Sequence, residues 1–340
     1  MAERPIVHIG YHKTGTTWFQ QHFYARVAGA RYVPRRTVQQ AFLEPSALHF
    51  DPAEARALIG PDDGKRLLLC EEGLSGYIHN GGMAGSLSKD VAHRLKAVLP
   101  DADIVIFIRS QPSMIAACYS QYLKGCGTFS ANRYLFPGRY LHGARAERIK
   151  GPRFSFDHFD YDRLIAQYIE LFGPDRVHVF PFEQFRADSM AFAQRFAAIF
   201  DLDVQLDATA SRWANRSYNR PALLLSRLFG LFTARTVDDK YYMVHIPYWY
   251  ALTRALCEAV TRLLPLRSPS PRALLGRKAV RWIEERFVES NRRLAAQTGL
   301  ALHRYKYPLG IAPDGASEET PRGAQLVHLP APIGEQRQSA

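Results

Sequence analysis

The sequence predicts an α/β fold: a doubly wound parallel sheet with helices on both faces. Three observations predict it. Short apolar runs recur between Ile6 and Phe180, helical periodicities separate them, and the first run ends on a glycine loop that opens a helix. Strands buried on both faces read as unbroken apolar runs rather than alternations. Strands that alternate with helices form parallel sheets with right-handed crossovers, and ligands sit at the carboxyl ends of those strands.

The first expected strand is Ile6 to Ile9, rich in β-branched residues and ended by Gly10; Thr16 to Phe23 then reads as a helix. Further strands are expected at Leu67 to Cys70, Ile104 to Ile108 and Val177 to Phe180. Between them, Leu87 to Leu99 repeats Val91, Leu95 and Val98 at helical spacing before Pro100, and Tyr161 to Phe172 closes on Gly173-Pro174. Residues 124–160 carry glycine, arginine and aromatics with little periodicity, which predicts an insertion on the substrate side. Residues 221–300 read as a helical extension, so one domain is expected over 1–308. A tail rich in Pro, Gly, Glu, Gln and Ser over 309–340 is expected to be disordered.

Composition narrows the function classes. The 340 residues are 47% apolar and 22% charged, which is ordinary globular usage. The formal net charge of +12 predicts a field that attracts anions. No run of five basic residues, zinc-finger spacing or basic heptad segment accompanies it, so no nucleic-acid partner is expected; a phosphate-rich small molecule accounts for the charge. Four cysteines without a Cys-x-x-Cys pair, and no apolar leader of secretory length, predict reduced thiols and a cytoplasmic location. Arginines interrupt every apolar stretch after position 220, so no membrane span is expected. The arginine-studded segment Leu223 to Leu266 reads as helices packed on the domain, with an interfacial helix at the inner membrane surface as the alternative. The histidines show no metal-ligand spacing.

The chemistry centres on Gly10-Tyr11-His12-Lys13-Thr14-Gly15-Thr16-Thr17, whose glycines stand at the G-x-x-x-x-G spacing of a phosphate loop, after a strand and before a helix. Backbone amides and a helix N-terminus there make an anion cradle. A nucleotide triphosphatase carries lysine directly after the second glycine. Thr16 holds that place, and the lysine lies inside the loop at Lys13. From there an ammonium can reach the oxygen between a 5′-phosphate and the group transferred, where negative charge builds up. Arg109 follows the strand Ile104 to Ile108 and is placed to fork onto a phosphate. Glu71 and Glu72 follow the strand Leu67 to Cys70; either can be a base, but adjacent strand residues point to opposite faces, so both cannot serve equally. His8 lies within a strand and is expected to be packed, whereas His12 is placed to touch a nucleotide.

The stretch His12-Lys13-Thr14-Gly15-Thr16-Thr17-Trp18 resembles the 5′-phosphosulfate loop of the sulfotransferases that use 3′-phosphoadenosine 5′-phosphosulfate (PAPS), with its K-S/T-G-T-T-W core. The resemblance implies a P-loop-like fold and transfer of a sulfuryl group from PAPS, as co-substrate and without a metal, to an acceptor hydroxyl or amine. It assigns Lys13 to the bridging oxygen, Gly15, Thr16 and Thr17 to the 5′-phosphate, and Trp18 to the surroundings of the nucleotide, with His12 and Thr14 completing the loop. Glu71-Glu72-Gly73-Leu74-Ser75 is similar to the family's S-x-E-x-L-S segment, which aligns Glu72 with the candidate base and leaves Glu71 beside it. Arg109 resembles the 3′-phosphate arginine, but the serine expected eight residues later is Ala117; Ser113 and Ser120 are the nearby hydroxyls. Phe172 to Glu183, Trp213 to Tyr218 and Phe287 to Arg292 extend the similarity. Under that reading, the arginine- and aromatic-rich stretch Lys124 to Arg153 points to a carbohydrate or glycolipid acceptor. A P-loop-type nucleotide kinase and a non-catalytic nucleotide- or anion-binding protein are the other readings.

Overall fold

The computed structural model describes residues 3–61, 63–140, 153–206, 218–234, 237 and 240–310. They contain a five-stranded, all-parallel sheet of β1 (Ile6–Gly10), β2 (Ala30–Tyr32), β3 (Arg66–Cys70), β4 (Asp103–Ile108) and β5 (Val177–Pro181), in the spatial order β2-β3-β1-β4-β5. Ile6 is in register with Leu68 on one side and Asp103 on the other, so β1 is central. From β1 the chain goes to the edge strand β2, returns through β3 beside β1, and then crosses β1 to β4 and β5 on the other side; the reversal of direction at β1 opens a crevice at the carboxyl ends of β1, β3 and β4. The register slips between His8 and Gly10 against β4, at the point where β1 gives way to the glycine loop.

Alternate residues of each strand serve two separate apolar layers. On one face Val7, Ile9, Leu69, Ile104 and Ile106 pack with Phe42 of α2 (Arg35–Phe42), Ala55 of α3 (Pro52–Ile59), Leu95 of α4 (Ser86–Val98), Ile115 of α5 (Gln111–Lys124) and, beyond α6 (Ala131–Leu135), Ile165 of α7 (Tyr161–Phe172). On the other, Ile6, Leu68, Val105 and Phe107 meet an aromatic layer of Phe19, Phe23, Phe185, Phe192 and Phe196. Those rings come from α1 (Thr16–Trp18), which widens into a π-type coil over Phe19–Phe23, and from α8 (Phe182–Ala187) and α9 (Ser189–Ile199). His8 belongs to this layer as expected: it is fully buried and stacks on Phe107 with centroids 4.8 Å apart.

The helical C-terminal region comprises α10 (Arg220–Phe229), α11 (Trp249–Leu263), α12 (Pro271–Leu275), α13 (Arg277–Arg286) and α14 (Val288–Thr298). It is tied to the sheet's crevice by side chains. Gln111 at the start of α5 donates to Asn291 of α14 at 2.7 Å, and Asn291 donates back at 3.1 Å. Residues 141–152 of the expected insertion, Trp213 to Ser217 and the tail after Gly310 lie outside the described residues.

Candidate functional site

The glycine loop runs from β1 to α1 with both glycines in left-handed backbone regions, φ +111° at Gly10 and +94° at Gly15. Each also permits a close approach. A Cβ at Gly10 would lie 3.2 Å from the Glu72 backbone, and one at Gly15 would lie 2.8 Å from the Phe185 ring. Between them Lys13 adopts φ 63°, and the buried Thr14 hydroxyl donates to the Tyr11 carbonyl. The turn is therefore held from inside the loop.

Lys13 is half-buried, and its ammonium donates to Gln121 Oε1 of α5 at 2.6 Å. Burial lowers its pKa, and the cations Lys124 and Arg109 push the same way, against Cys118 and Glu72. Arg109, directly after β4, donates from a terminal guanidinium nitrogen to the Lys13 carbonyl at 3.1 Å and from Nε to Ser113 Oγ at 2.8 Å. Its guanidinium lies 5.1 Å from the Phe182 ring centroid, and Tyr161 donates to its carbonyl at 2.8 Å. The amide of Ser110 donates to Glu183, which also accepts from Tyr307. Burial raises the pKa of that carboxyl and lowers that of Arg109. Of the two nearby serines, Ser113 is the one that meets Arg109.

The paired carboxylates part company. Glu71 is 1% exposed; Arg35 and Gln39 of α2 donate to it, and it accepts the Gly73 amide at 3.0 Å, capping the short 3₁₀ turn Glu72–Ser75. Its acceptor sites are taken up by structure. Glu72 points to the loop, accepting from Thr16 Oγ1 at 2.9 Å and from Arg35 at 3.2 Å. Arg35 thus bridges both carboxylates, a role that nothing in the local sequence announced.

The other loop residues fall into two groups. His12 faces inward beside His79 and His158; burial lowers its pKa to about 3, with Lys13 next in effect. Trp18 is 4% exposed in the aromatic layer, its ring 4.9 Å from Phe185 and 5.2 Å from Phe19. That places it behind the loop, as part of the packing that supports Thr16 and Thr17.

Beside Lys13 lies a cavity of about 340 Å³. Tyr77 and His79 from the segment after β3, Gln121 and Tyr122 from α5, Phe129, Arg133, Tyr134, Arg153 and Phe154 line it, together with Tyr250 of α11. His79 Nδ1 and the Tyr134 hydroxyl share a hydrogen bond of 2.6 Å. Gln121 therefore belongs to the cavity wall and also holds Lys13. Sequence reasoning missed it, together with Arg35 and Tyr250, because no local motif marks them. Among the described residues, no group of three or more His, Cys, Asp or Glu side chains is arranged to hold a metal ion.

A loop between two positive side chains, a carboxylate at its edge and an adjoining aromatic cavity can bind a phosphorylated donor and place a second molecule next to it. No family model and no curated protein matches the sequence. Among solved structures, the chain is similar to a sulfotransferase from Alicyclobacillus acidocaldarius, 17% identical, with 76% of this chain and 96% of that chain covered and a TM-score of 0.44.

Proposed function

We propose that the protein is a PAPS-dependent sulfotransferase that acts on a hydroxyl or amine of a carbohydrate or glycolipid. The observation that carries the reading is the position of Lys13: inside the loop, joined by hydrogen bonds to Arg109 on one side and to the cavity wall on the other. Loop amides, those of Thr16 and Thr17 among them, and the Thr17 hydroxyl hold the 5′-phosphate, and Arg109 with Ser113 holds the 3′-phosphate. The ammonium of Lys13, partly withdrawn from water, acts on the bridging oxygen, where a fixed positive charge is worth more than in bulk solvent. Glu72 accepts the proton of the acceptor as it attacks sulfur in line. The aromatic rings of the cavity offer faces to sugar rings, and Arg133 and Arg153 offer charge to acidic groups.

The test is transfer of labelled sulfate from PAPS over a panel of glycan and glycolipid acceptors. Lys13→Ala should lower transfer roughly 10²- to 10³-fold while adenosine 3′,5′-bisphosphate still binds. Full transfer by Lys13→Ala would overturn the mechanism. Tight binding of magnesium–ATP with none of the bisphosphate would turn the assignment to a nucleotide kinase.

A further inference from the structure

Helices α10 and α11 form an antiparallel pair: Cys257 Sγ meets the Ala222 carbonyl at 3.4 Å, the Trp249 indole donates to the Phe229 carbonyl at 3.0 Å, and Asn219 donates to the Leu264 carbonyl at 2.7 Å. The inner face of α11 is small and half polar, with Thr253 and Cys257 buried. Its outer face is the more apolar one. Leu252, Leu256 and Leu263 recur at helical spacing and are 58%, 40% and 79% exposed. Leu224 and Leu228 of α10 are exposed too, as are Tyr241, Tyr242, Met243, Val244 and Tyr248 in the preceding loop. That loop is anchored to the 3₁₀ turn Gly230–Phe232 at the end of α10 by the Met243 and Ile246 amides on the Leu231 and Phe232 carbonyls. Exposed apolar side chains gathered on two packed helices and the loop between them mark an interaction surface.

The chain along this face carries a basic excess, although Asp238 and Asp239 directly precede it and Arg254 pairs with Glu258 at 3.3 Å. From residue 240 to residue 278 the basic residues are Lys240, Arg254, Arg262, Arg267, Arg272, Arg277 and Lys278, and the only carboxylate is Glu258. Two copies apposed through such a face would bring like charges together. Exposed leucines, tyrosines suited to a water–hydrocarbon boundary and arginines around them fit an anionic bilayer.

We propose that the face built by residues 241–248, α10 and α11 docks on an anionic lipid surface. The apolar side chains enter the headgroup region and the arginines meet lipid phosphates. Docking also orients the cavity: the Tyr241 ring lies 5.2 Å from Phe129 and under the Arg133 guanidinium, and Tyr250 lines the cavity wall. The cavity rim then adjoins the bilayer. The proposal stands apart from the sulfotransferase reading, since binding to lipid needs no turnover.

Flotation of the full chain with vesicles tests it. Binding to phosphatidylcholine vesicles containing phosphatidylglycerol should exceed binding to phosphatidylcholine alone roughly tenfold or more. Leu252→Glu/Leu256→Glu and Arg262→Glu/Arg267→Glu should each weaken it roughly tenfold, with circular dichroism and melting temperature unchanged because all four positions are exposed. No vesicle binding, or undiminished binding by both variants, would overturn the proposal. So would a dimer in size-exclusion chromatography that Leu252→Glu/Leu256→Glu dissociates while vesicles remain unbound, which assigns the face to a second copy.

Discussion

Glu71 and Glu72 are neighbours in the chain with different surroundings. Strand alternation says that they point apart, but the orientation of each is decided by Arg35, from a helix far earlier in the sequence, and by the Gly10 loop, whose missing side chain admits the Glu72 backbone. The choice between them was therefore illegible from local residues. Glu72→Gln should change stability by less than about 1 kcal/mol, because its ion-pair partner Arg35 is about half exposed to solvent and such a pair contributes little, and lower transfer roughly 10²-fold. Glu71→Gln should destabilise by about 2 kcal/mol, since it weakens a buried group with several donors around it, and should slow transfer less. Urea melts and rate measurements on the two variants check this; equal loss of rate at equal stability would contradict it. Lys13 and Arg109 were legible, because a displaced lysine and a strand-end arginine are statements about position in the chain. Ser113 was not separable from Ser120 until the helix turned it toward Arg109.

At the level of elements, short unbroken apolar runs foretold β1, β3, β4 and β5, and helical periodicity foretold helices between them. The edge strand β2 escaped because Ala30–Tyr32 is only half-buried and shows no apolar run. The loop glycines were expected to clear space for phosphate; their surroundings show that they also clear space for protein. Gly15 faces Phe185, so the loop leans on the same aromatic layer that holds Trp18. Gly15→Ala should cost about 1–3 kcal/mol through backbone strain and the clash, lower the melting temperature and loosen nucleotide binding. A variant that melts and binds like the parent would show that the loop is not so constrained.

Across the whole molecule, buried histidines couple stability to pH. The buried His8 and His158 and the half-buried His12 have pKa values lowered to about 3, and the buried His79 to about 4, all chiefly by withdrawal from water. In the unfolded chain these groups take up protons below about 6.5; in the folded chain they stay neutral. Their contribution is therefore complete above that pH and is lost as pH falls toward 3 or 4. Glu183, with its raised pKa, acts in the opposite direction, and one carboxyl does not cancel four imidazoles. Denaturant midpoints should fall steeply from pH 6.5 to 4.5; a flat profile would refute the assignment. The sequence shows the number of histidines and the net charge, but not their burial, nor the way the basic and apolar residues after position 240 share one surface.

If the loop and the cavity each take a ligand, as proposed, the hydrogen bond from Lys13 to Gln121 links the two binding events. One amide oxygen serves both the loop and the cavity, so a ligand that draws Lys13 toward its own oxygen frees Gln121 for the cavity, and a cavity ligand that engages Gln121 frees Lys13. Linkage requires the effect to be equal in both directions. Donor and acceptor would each raise the affinity for the other, and the ternary complex would be favoured over either binary one through a single side-chain contact.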